Sequence, residues 1–389
     1  MAKLSIKDLD LQGQRVFIRV DFNVPLANGG KEITSDTRIR ASLPAIRYAL
    51  DHGAGVVLAS HLGRPDGEVN PEMSLAPCAA RLAELLGRPV KMAPDCVGSE
   101  VEAMLPAPGE VLLLENVRFH SEEEDNDPEF SKQLARLCDV YVNDAFGSAH
   151  RAHASTAGIA AHVSKAAAGQ LMDKEVEYLT LVTQDPPRPC VAILGGSKVS
   201  DKIEVIRNMA KVVDKLLIGG AMAYTFMRAK GEPTGNSKVE EDKVELAREL
   251  LAEAGDKLVL PVDHVVAKEF KAGASNETVT TIPEGTMALD IGPATVGKFA
   301  DELRSAKCII WNGPMGVFEK PPFDAGTVAV AKILADSGAV TVVGGGDSEK
   351  AIKVAGVSSK ITHISTGGGA SLEFLGGRVL PGVAALTDK

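Results

Sequence analysis

Short apolar runs recur along the whole chain, and each stops at glycine or polar residues before a helix-like pattern begins. They read 16-VFIRV, 55-GVVLAS, 111-VLLLEN, 140-VYVND, 190-CVAIL, 215-KLLIG, 257-KLVLPV, 308-CIIWN, 340-VTVV and 361-ITHIS. Several are apolar throughout rather than alternating, which suits strands covered by helices on both faces. Stretches between them, such as 241-EDKVELARELLAEAG, carry apolar residues at three and four spacing and end at glycine. Alternating strand and helix predicts an α/β protein with doubly wound parallel sheets. Ten or more strands exceed one ordinary sheet, and 389 residues exceed one ordinary domain of ~100–200, so two Rossmann-like domains are expected. The segment 166-AAAGQLMDKEVEYLTLVTQ, stopped by Pro186 and Pro187, reads as a helix joining them near 170–184. The expected division is 1–169 against 170–377.

Composition narrows the function. Apolar residues make up 45% and charged residues 24%, enough for large cores and against disorder. A net charge of −10 with 4% aromatic residues argues against a nucleic-acid partner. No apolar window is long enough to suggest a membrane span, and "MAKLSIKDLD" lacks a secretory apolar region. Five scattered cysteines, never in Cys-x-x-Cys spacing, fit the reduced thiols of a cytoplasm and speak against disulfide or zinc frameworks. Eleven arginines fall in residues 1–165 and six in the remainder, so an acidic chain carries a local concentration of anion-binding side chains.

Ligands of open parallel sheets bind beyond the carboxyl ends of the strands. In the first half those ends supply Asp21 and Asn23 in "RVDFNVP", His61 and Arg64 in "SHLGRP", Arg118 in "LENVRF", and His150 and Arg151 in "GSAHRAH"; Arg38 follows in "SDTRIR". Arginine forks hold phosphate and carboxylate oxygens bidentately, so the set suits a small polyanion. In the second half the ends are glycine-rich: "GGSKVSDK" with Lys198 and Lys202, "IGGAMA" with Gly219 and Gly220, "WNGPMGVFE", "GGGDS" and "STGGGAS". Such loops bring backbone N–H groups and helix N-termini to phosphates. Asp347 offers hard oxygen to Mg2+. Met222, Pro314 and Val317 are candidates for an apolar adenine slot, and Trp311 reads as core. "GPATVGKF" lacks the hydroxyl of a phosphate loop and reads as a strand-to-helix turn. "SEEEDND" reads as a solvated loop or a helix start. No Gly-x-Gly-x-x-Gly occurs, which counts against a nicotinamide dehydrogenase, and a non-catalytic anion-binding protein is the third reading.

The strings RVDFNVP, SHLGRP, LLLENVRF, GSAHRAHAS, GGSKVSDK, WNGPMGVFE, GGGDS and STGGGAS, in this order over nearly the full chain, resemble the phosphoglycerate kinase family. The resemblance implies two domains around a cleft that closes, acting as a monomer. The first domain, joined by residues 378–389, would bind 3-phosphoglycerate or 1,3-bisphosphoglycerate; the second would bind ATP or ADP with Mg2+. Asp21 and Asn23 would hold the glycerate end, and His61, Arg64, Arg118 and Arg151 the non-transferred phosphate. Arg38 would sit at the transferring phosphoryl group. Lys198 and Lys202 would contact nucleotide phosphates, Asp347 the metal, and Glu319 the ribose. Gly219, Gly220, Asn312, Pro314 and Val317 would line the adenosine slot, beside a wall formed by Gly344, Gly345, Gly346 and Ser348. Gly367, Gly368 and Gly369 would offer N–H groups to the phosphoryl in flight. The acceptor in the ATP-consuming direction is a carboxylate, anionic near neutral pH, so no general base is needed.

Overall fold

The computed structural model describes residues 3–389. They form two compact units: residues up to Val176 together with Val379–Lys389, and Glu177–Arg378. The division falls inside the continuous helix Gln170–Gln184, seven residues beyond the expected 169/170, and again one residue beyond 377/378.

The first unit is built on six parallel strands: β1 (Arg15–Arg19), β2 (Gly55–Ala59), β3 (Lys91–Met92), β4 (Val111–Leu113), β5 (Val140–Asn143) and β6 (Ala166–Ala168). Their order is β3-β4-β2-β1-β5-β6. Four of the five residues of β1 and all of β2, β4, β5 and β6 are buried. That burial explains the unbroken apolar runs, each buried Val, Leu, Ile or Phe contributing roughly 1.5–3 kcal/mol. Helix α1 (Thr37–Asp51) packs the stripe Ile39, Leu43, Ile46 and Leu50 into the same core. The C-terminal segment belongs to this unit: Thr387 donates its N–H to Ala166 O at 2.9 Å, and Gly382 donates to Ala149 O at 2.8 Å. The connecting helix starts on a buried carboxylate, since Asp144 Oδ1 accepts from the N–H groups of Leu171 and Met172 at 2.8 and 3.2 Å.

The second unit carries β7 (Cys190–Leu194), β8 (Lys215–Ile218), β9 (Leu258–Val259), β13 (Cys308–Asn312), β14 (Val340–Gly344) and β15 (His363–Ile364) in one parallel sheet. The order β9-β8-β7-β13-β14-β15 is the 3-2-1-4-5-6 pattern of a dinucleotide-type fold, whose switch point lies between β7 and β13. An antiparallel sheet of β10 (His264–Ala267), β11 (Asn276–Val279) and β12 (Met287–Ile291) is inserted between β9 and β13. The sequence periodicity did not suggest it: β11 has three exposed residues of four, so it carries no apolar run.

Two local expectations change. The acidic segment 121–127 does start a helix, Ser121–Glu124, but Glu123 is fully buried rather than solvated. Met222 is also fully buried, so its side chain is core and not the wall of a slot. Trp311 is core, its indole N–H donating to Gly313 O at 2.7 Å. "GPATVGKF" is the start of helix Pro293–Arg304, capped by Asp263, whose carboxylate accepts from Ala294 and Thr295 N–H at 2.9 and 2.7 Å.

Candidate functional site

In the first unit, the loops beyond β1, β2, β4 and β5 carry the candidate anion-binding groups. Arg38, in the first turn of α1, donates Nη1 to both oxygens of Asp21 at 2.8 Å, and the pair is partly open to solvent, with the side chains 40% and 12% exposed. Asn23 accepts the Gly63 N–H at 3.0 Å, tying the loop after β1 to the loop after β2. Asn116, fully buried, accepts from Leu62 and Arg118 N–H and donates to Leu62 O and Met73 O, which fixes the turn that presents Arg118.

Beneath these loops lies a buried polar network that the sequence did not reveal. Arg19, within β1, is 1% exposed. Its Nε donates to Ser155 Oγ at 2.8 Å, an Nη donates to Val20 O, and Nη2 reaches His61 Nδ1 at 3.1 Å. A guanidinium can only donate, so His61 Nδ1 is the acceptor and the ring proton sits on Nε2. Burial, then the cations Arg19, Arg118 and Arg38, push the His61 pKa well below the usual imidazole value, so the ring is a neutral N–H donor. Glu123 accepts from Ser155 Oγ and N–H at 2.6 and 2.8 Å; burial raises its pKa while Arg19 opposes that rise. His153 is likewise held at about 4 by burial and then by Arg118, Arg19 and Arg151. An arginine inside an otherwise apolar parallel strand was the one sequence signal for this network.

Arg118 donates Nη1 to Gly63 O at 2.8 Å, and its Nε lies 3.1 Å from Glu124 Oε1 without the alignment of a hydrogen bond. Burial and the nearby Arg151 and Arg19 lower its pKa, which marks a crowd of like charges. Arg151 meets only His150 Nε2, at 3.4 Å, and exposed Arg64 has no partner among the described residues. The structure therefore brings Arg38, His61, Arg118 and Arg151 into one electropositive group, with Arg19 and His153 behind it.

In the second unit the glycine loops crowd together where β7 and β13 end. Gly195 donates to Asn312 O at 2.9 Å, Gly196 to Pro314 O at 3.1 Å, and Gly220 to Met315 O at 2.9 Å; Gly219 donates back to Leu194 O at 2.9 Å. A Cβ at Gly195 would overlap the Pro314 carbonyl oxygen, and one at Gly313 (φ +97°) would overlap the Gly195 carbonyl oxygen. Those glycines are dictated by backbone approach. Ser348, fully buried, accepts the Gly313 N–H at 2.7 Å, so its side chain braces one loop on another. Gly345 (φ +91°) and Gly346 lead into helix α3 (Gly346–Val354), taking the connecting helix Gln170–Gln184 as α2. Asp347, in its first turn, is exposed and pairs through Oδ1 with Lys350 at 3.0 Å.

Lys202 donates Nζ to Asn312 Oδ1, and burial lowers its pKa to about 8 against the opposing pull of Asp201 and Asp347. Lys198 and Glu319 are exposed, and Pro314 and Val317 are half-buried. Gly367 donates to Ser365 Oγ at 3.2 Å, and Gly368 (φ +49°) and Gly369 open the short helix Gly369–Leu375.

A parallel 3-2-1-4-5-6 sheet ending in glycine loops, and a second parallel sheet ending in arginines, are the features of an α/β protein that handles phosphorylated ligands. A family model described as "Phosphoglycerate kinase" matches residues 6–378. A phosphoglycerate kinase of Solibacter usitatus is 71% identical over 389 residues, covering 99% of this chain and all of the relative. One of Moorella thermoacetica is 59% identical over the full length of both chains. Among solved structures, phosphoglycerate kinase from Coxiella burnetii matches with a TM-score of 0.91 and 41% identity, and that from Pyrococcus horikoshii with 0.85 and 36%, each over 98% of both chains. The chain belongs to the phosphoglycerate kinase family.

Proposed function

We propose that the chain transfers a phosphoryl group reversibly between 1,3-bisphosphoglycerate and ADP, giving 3-phosphoglycerate and ATP. The observation that carries this reading is the gathering of Arg38, His61, Arg118 and Arg151 around a buried Arg19–Glu123 network, a cradle for a doubly charged small anion. In this reading Asp21 and Asn23 take the glycerate end. His61, Arg64, Arg118 and Arg151 take the phosphate that is not transferred, His61 as a neutral Nε2–H donor.

Arg38 is the group at the transferring phosphoryl. Without ligand its charge is held by Asp21; a phosphoryl oxygen offers the guanidinium a stronger competing anion. Lys198, Lys202 and the N–H groups of Gly367, Gly368 and Gly369 complete the donors where the equatorial oxygens gather charge. Gly219, Gly220, Asn312, Pro314 and Val317 form the adenosine slot, Glu319 meets the ribose, and Gly344, Gly345, Gly346 and Ser348 form the adjoining wall. The acceptor carboxylate is already anionic, so donors and placement supply the catalysis and no base is required.

Asp347 suits Mg2+: it is an exposed carboxylate with one oxygen outside its Lys350 pair, at the start of α3, and this ion takes few protein ligands beside substrate phosphates. When bound, Mg2+ neutralises phosphate charge. Each chain carries both sets of residues, so a monomer suffices. Large exposed apolar side chains are few and scattered (Val69, Val262, Phe270, Val354 and Val379), as a monomer requires. No described helix is long and apolar enough to cross a membrane.

A coupled assay with ATP and 3-phosphoglycerate, with and without Mg2+, tests the reading. Turnover dependent on both substrates and on Mg2+ is expected. Arg38→Ala should lower kcat roughly 100- to 1,000-fold with little change in nucleotide affinity. Near-normal kcat in Arg38→Ala would refute its role, and no turnover in the wild type would refute the function.

A further inference from the structure

Outside the residues assigned to substrate, the first unit brings three metal-ligating side chains together. Asp95 and Cys96 lie in the loop after β3, and His120 follows the turn Val117–Phe119 after β4. Their candidate ligand atoms, one carboxylate oxygen, one thiol sulfur and one imidazole nitrogen, all lie within 4.8 Å of one another. We propose that Asp95, Cys96 and His120 form a binding site for one divalent transition-metal ion of the zinc type.

The donor set fixes the class of ion. A thiol and an imidazole are poor ligands for Mg2+ or Ca2+ and good ones for Zn2+, Co2+ or Cu2+. With metal–ligand distances of about 2.0–2.3 Å, tetrahedral ligand atoms stand roughly 3.3–3.8 Å apart, so the widest separations need to close by about 1 Å while the 2.7 Å contact between Asp95 and His120 opens. Cys96 is fully buried, whereas Asp95 and His120 are 47% and 29% exposed, so the adjustment falls to these two rim side chains. Asp95 Oδ1 accepts from Cys96 N–H at 2.6 Å and lies 2.7 Å from His120 Nε2, leaving Oδ2 open. No Lys or Arg among the described residues pairs with Asp95, so its charge is available to a cation. The His120 ring is steadied by Phe130 at a centroid distance of 5.2 Å.

On binding, the ion takes the place of the hydrogen bond between His120 and Asp95: the neutral ring offers the ion its unprotonated nitrogen and keeps its one proton on the other. The Cys96 thiol proton goes to solvent, and the thiolate and carboxylate together balance the charge of the ion. Water completes the fourth position from the exposed side. The ion clamps the loop after β3 to the turn that presents Arg118. Sequence spacing concealed the site, because its ligands come from two strand ends 24 residues apart rather than from a Cys-x-x-Cys unit.

Chelator-treated full-length protein titrated with Co2+ tests the proposal. One equivalent should bind with a sulfur-to-cobalt charge-transfer band, and Zn2+ should displace it. Cys96→Ser should abolish the band, while Cys190→Ser, which alters one of the two cysteines paired across neighbouring strands, should retain it. Because Cys96 is buried, the rim variants Asp95→Asn and His120→Asn give an independent reading, with Co2+ affinity at least about tenfold weaker. Absence of the band in wild type, its persistence in Cys96→Ser, or unchanged affinity in both rim variants would overturn the proposal.

Discussion

The arginine-rich end of the first sheet and the glycine-rich end of the second are both assigned to phosphate, and they are built from opposite materials. In the first unit the proposed binding groups are side chains, and two of them are held by a buried polar network: Arg19 on His61, Asn116 under Arg118, with Glu123 and Ser155 behind Arg19. In the second unit the proposed binding groups are mostly backbone, and side chains are excluded where Gly195, Gly220 and Gly313 lie against carbonyl oxygens of neighbouring loops. On the proposed assignment, arginine forks select the shape and charge of a small acid, whereas glycine loops accept any chain of phosphates and leave selection to the proposed adenosine slot. The first design is therefore vulnerable to loss of charge partners and the second to added bulk.

The largest effect should come from the buried charge. Arg19→Met leaves Glu123 without its cation and His61 without its donor, and should cost about 3–5 kcal/mol in urea unfolding. A loss under 1 kcal/mol would mean that the network does not support the cradle. Next, Gly195→Ala should cost about 1–3 kcal/mol through overlap with the Pro314 carbonyl, and should weaken ADP binding while leaving 3-phosphoglycerate binding intact. Calorimetric titration of both ligands distinguishes this from general unfolding.

Smaller effects follow from protonation. Lys202 holds its proton only up to about pH 8, so ADP affinity should fall as pH rises through 8, by less than about tenfold. In Lys202→Arg, whose guanidinium stays charged, affinity measured between pH 7 and 9 should be flat. The last change, confined to acidic pH, belongs to His153. Its folded pKa of about 4 lies below the unfolded value near 6.5, so the unfolded chain takes up a proton first. The stability it preserves is full above pH 6.5 and is lost as pH falls toward 4. His153→Asn should show a shallower loss of Tm over that window.

Most strands of both parallel sheets and the connecting helix were legible because strands buried on two faces leave unbroken apolar runs, as in Cys190–Leu194; Ala166–Ala168, read as part of the connecting helix, is instead a buried strand, and Lys91–Met92 is too short and too exposed to leave a run. Reading the residues after each run proposed Asp21, His61, Arg118 and Lys198, and the structure brings His61 and Arg118 into one group with Arg38 and Arg151. Arg19 was missed because it sits inside a run, and its role depends on Ser155 and Glu123, more than 100 residues away. Glu123 was hidden in an acidic string in which its neighbours are ordinary exposed carboxylates. Ser348 was placed in the nucleotide wall by its position after three glycines, and what the sequence did not show is that its buried hydroxyl braces Gly313. Pairing of side chains across distant loops leaves no periodicity, and that is where the sequence stops informing.

The division of labour between the two regions is tested most directly by titrating Arg151→Ala with each ligand. Arg151 has no carboxylate partner among the described residues, so its removal disturbs the fold least. The expected result is 3-phosphoglycerate affinity reduced at least about tenfold, as for loss of a charged hydrogen bond, with Mg-ADP affinity within about twofold of wild type. Equal losses for both ligands, or an unchanged affinity for 3-phosphoglycerate, would contradict the assignment of the arginine cradle to the small acid.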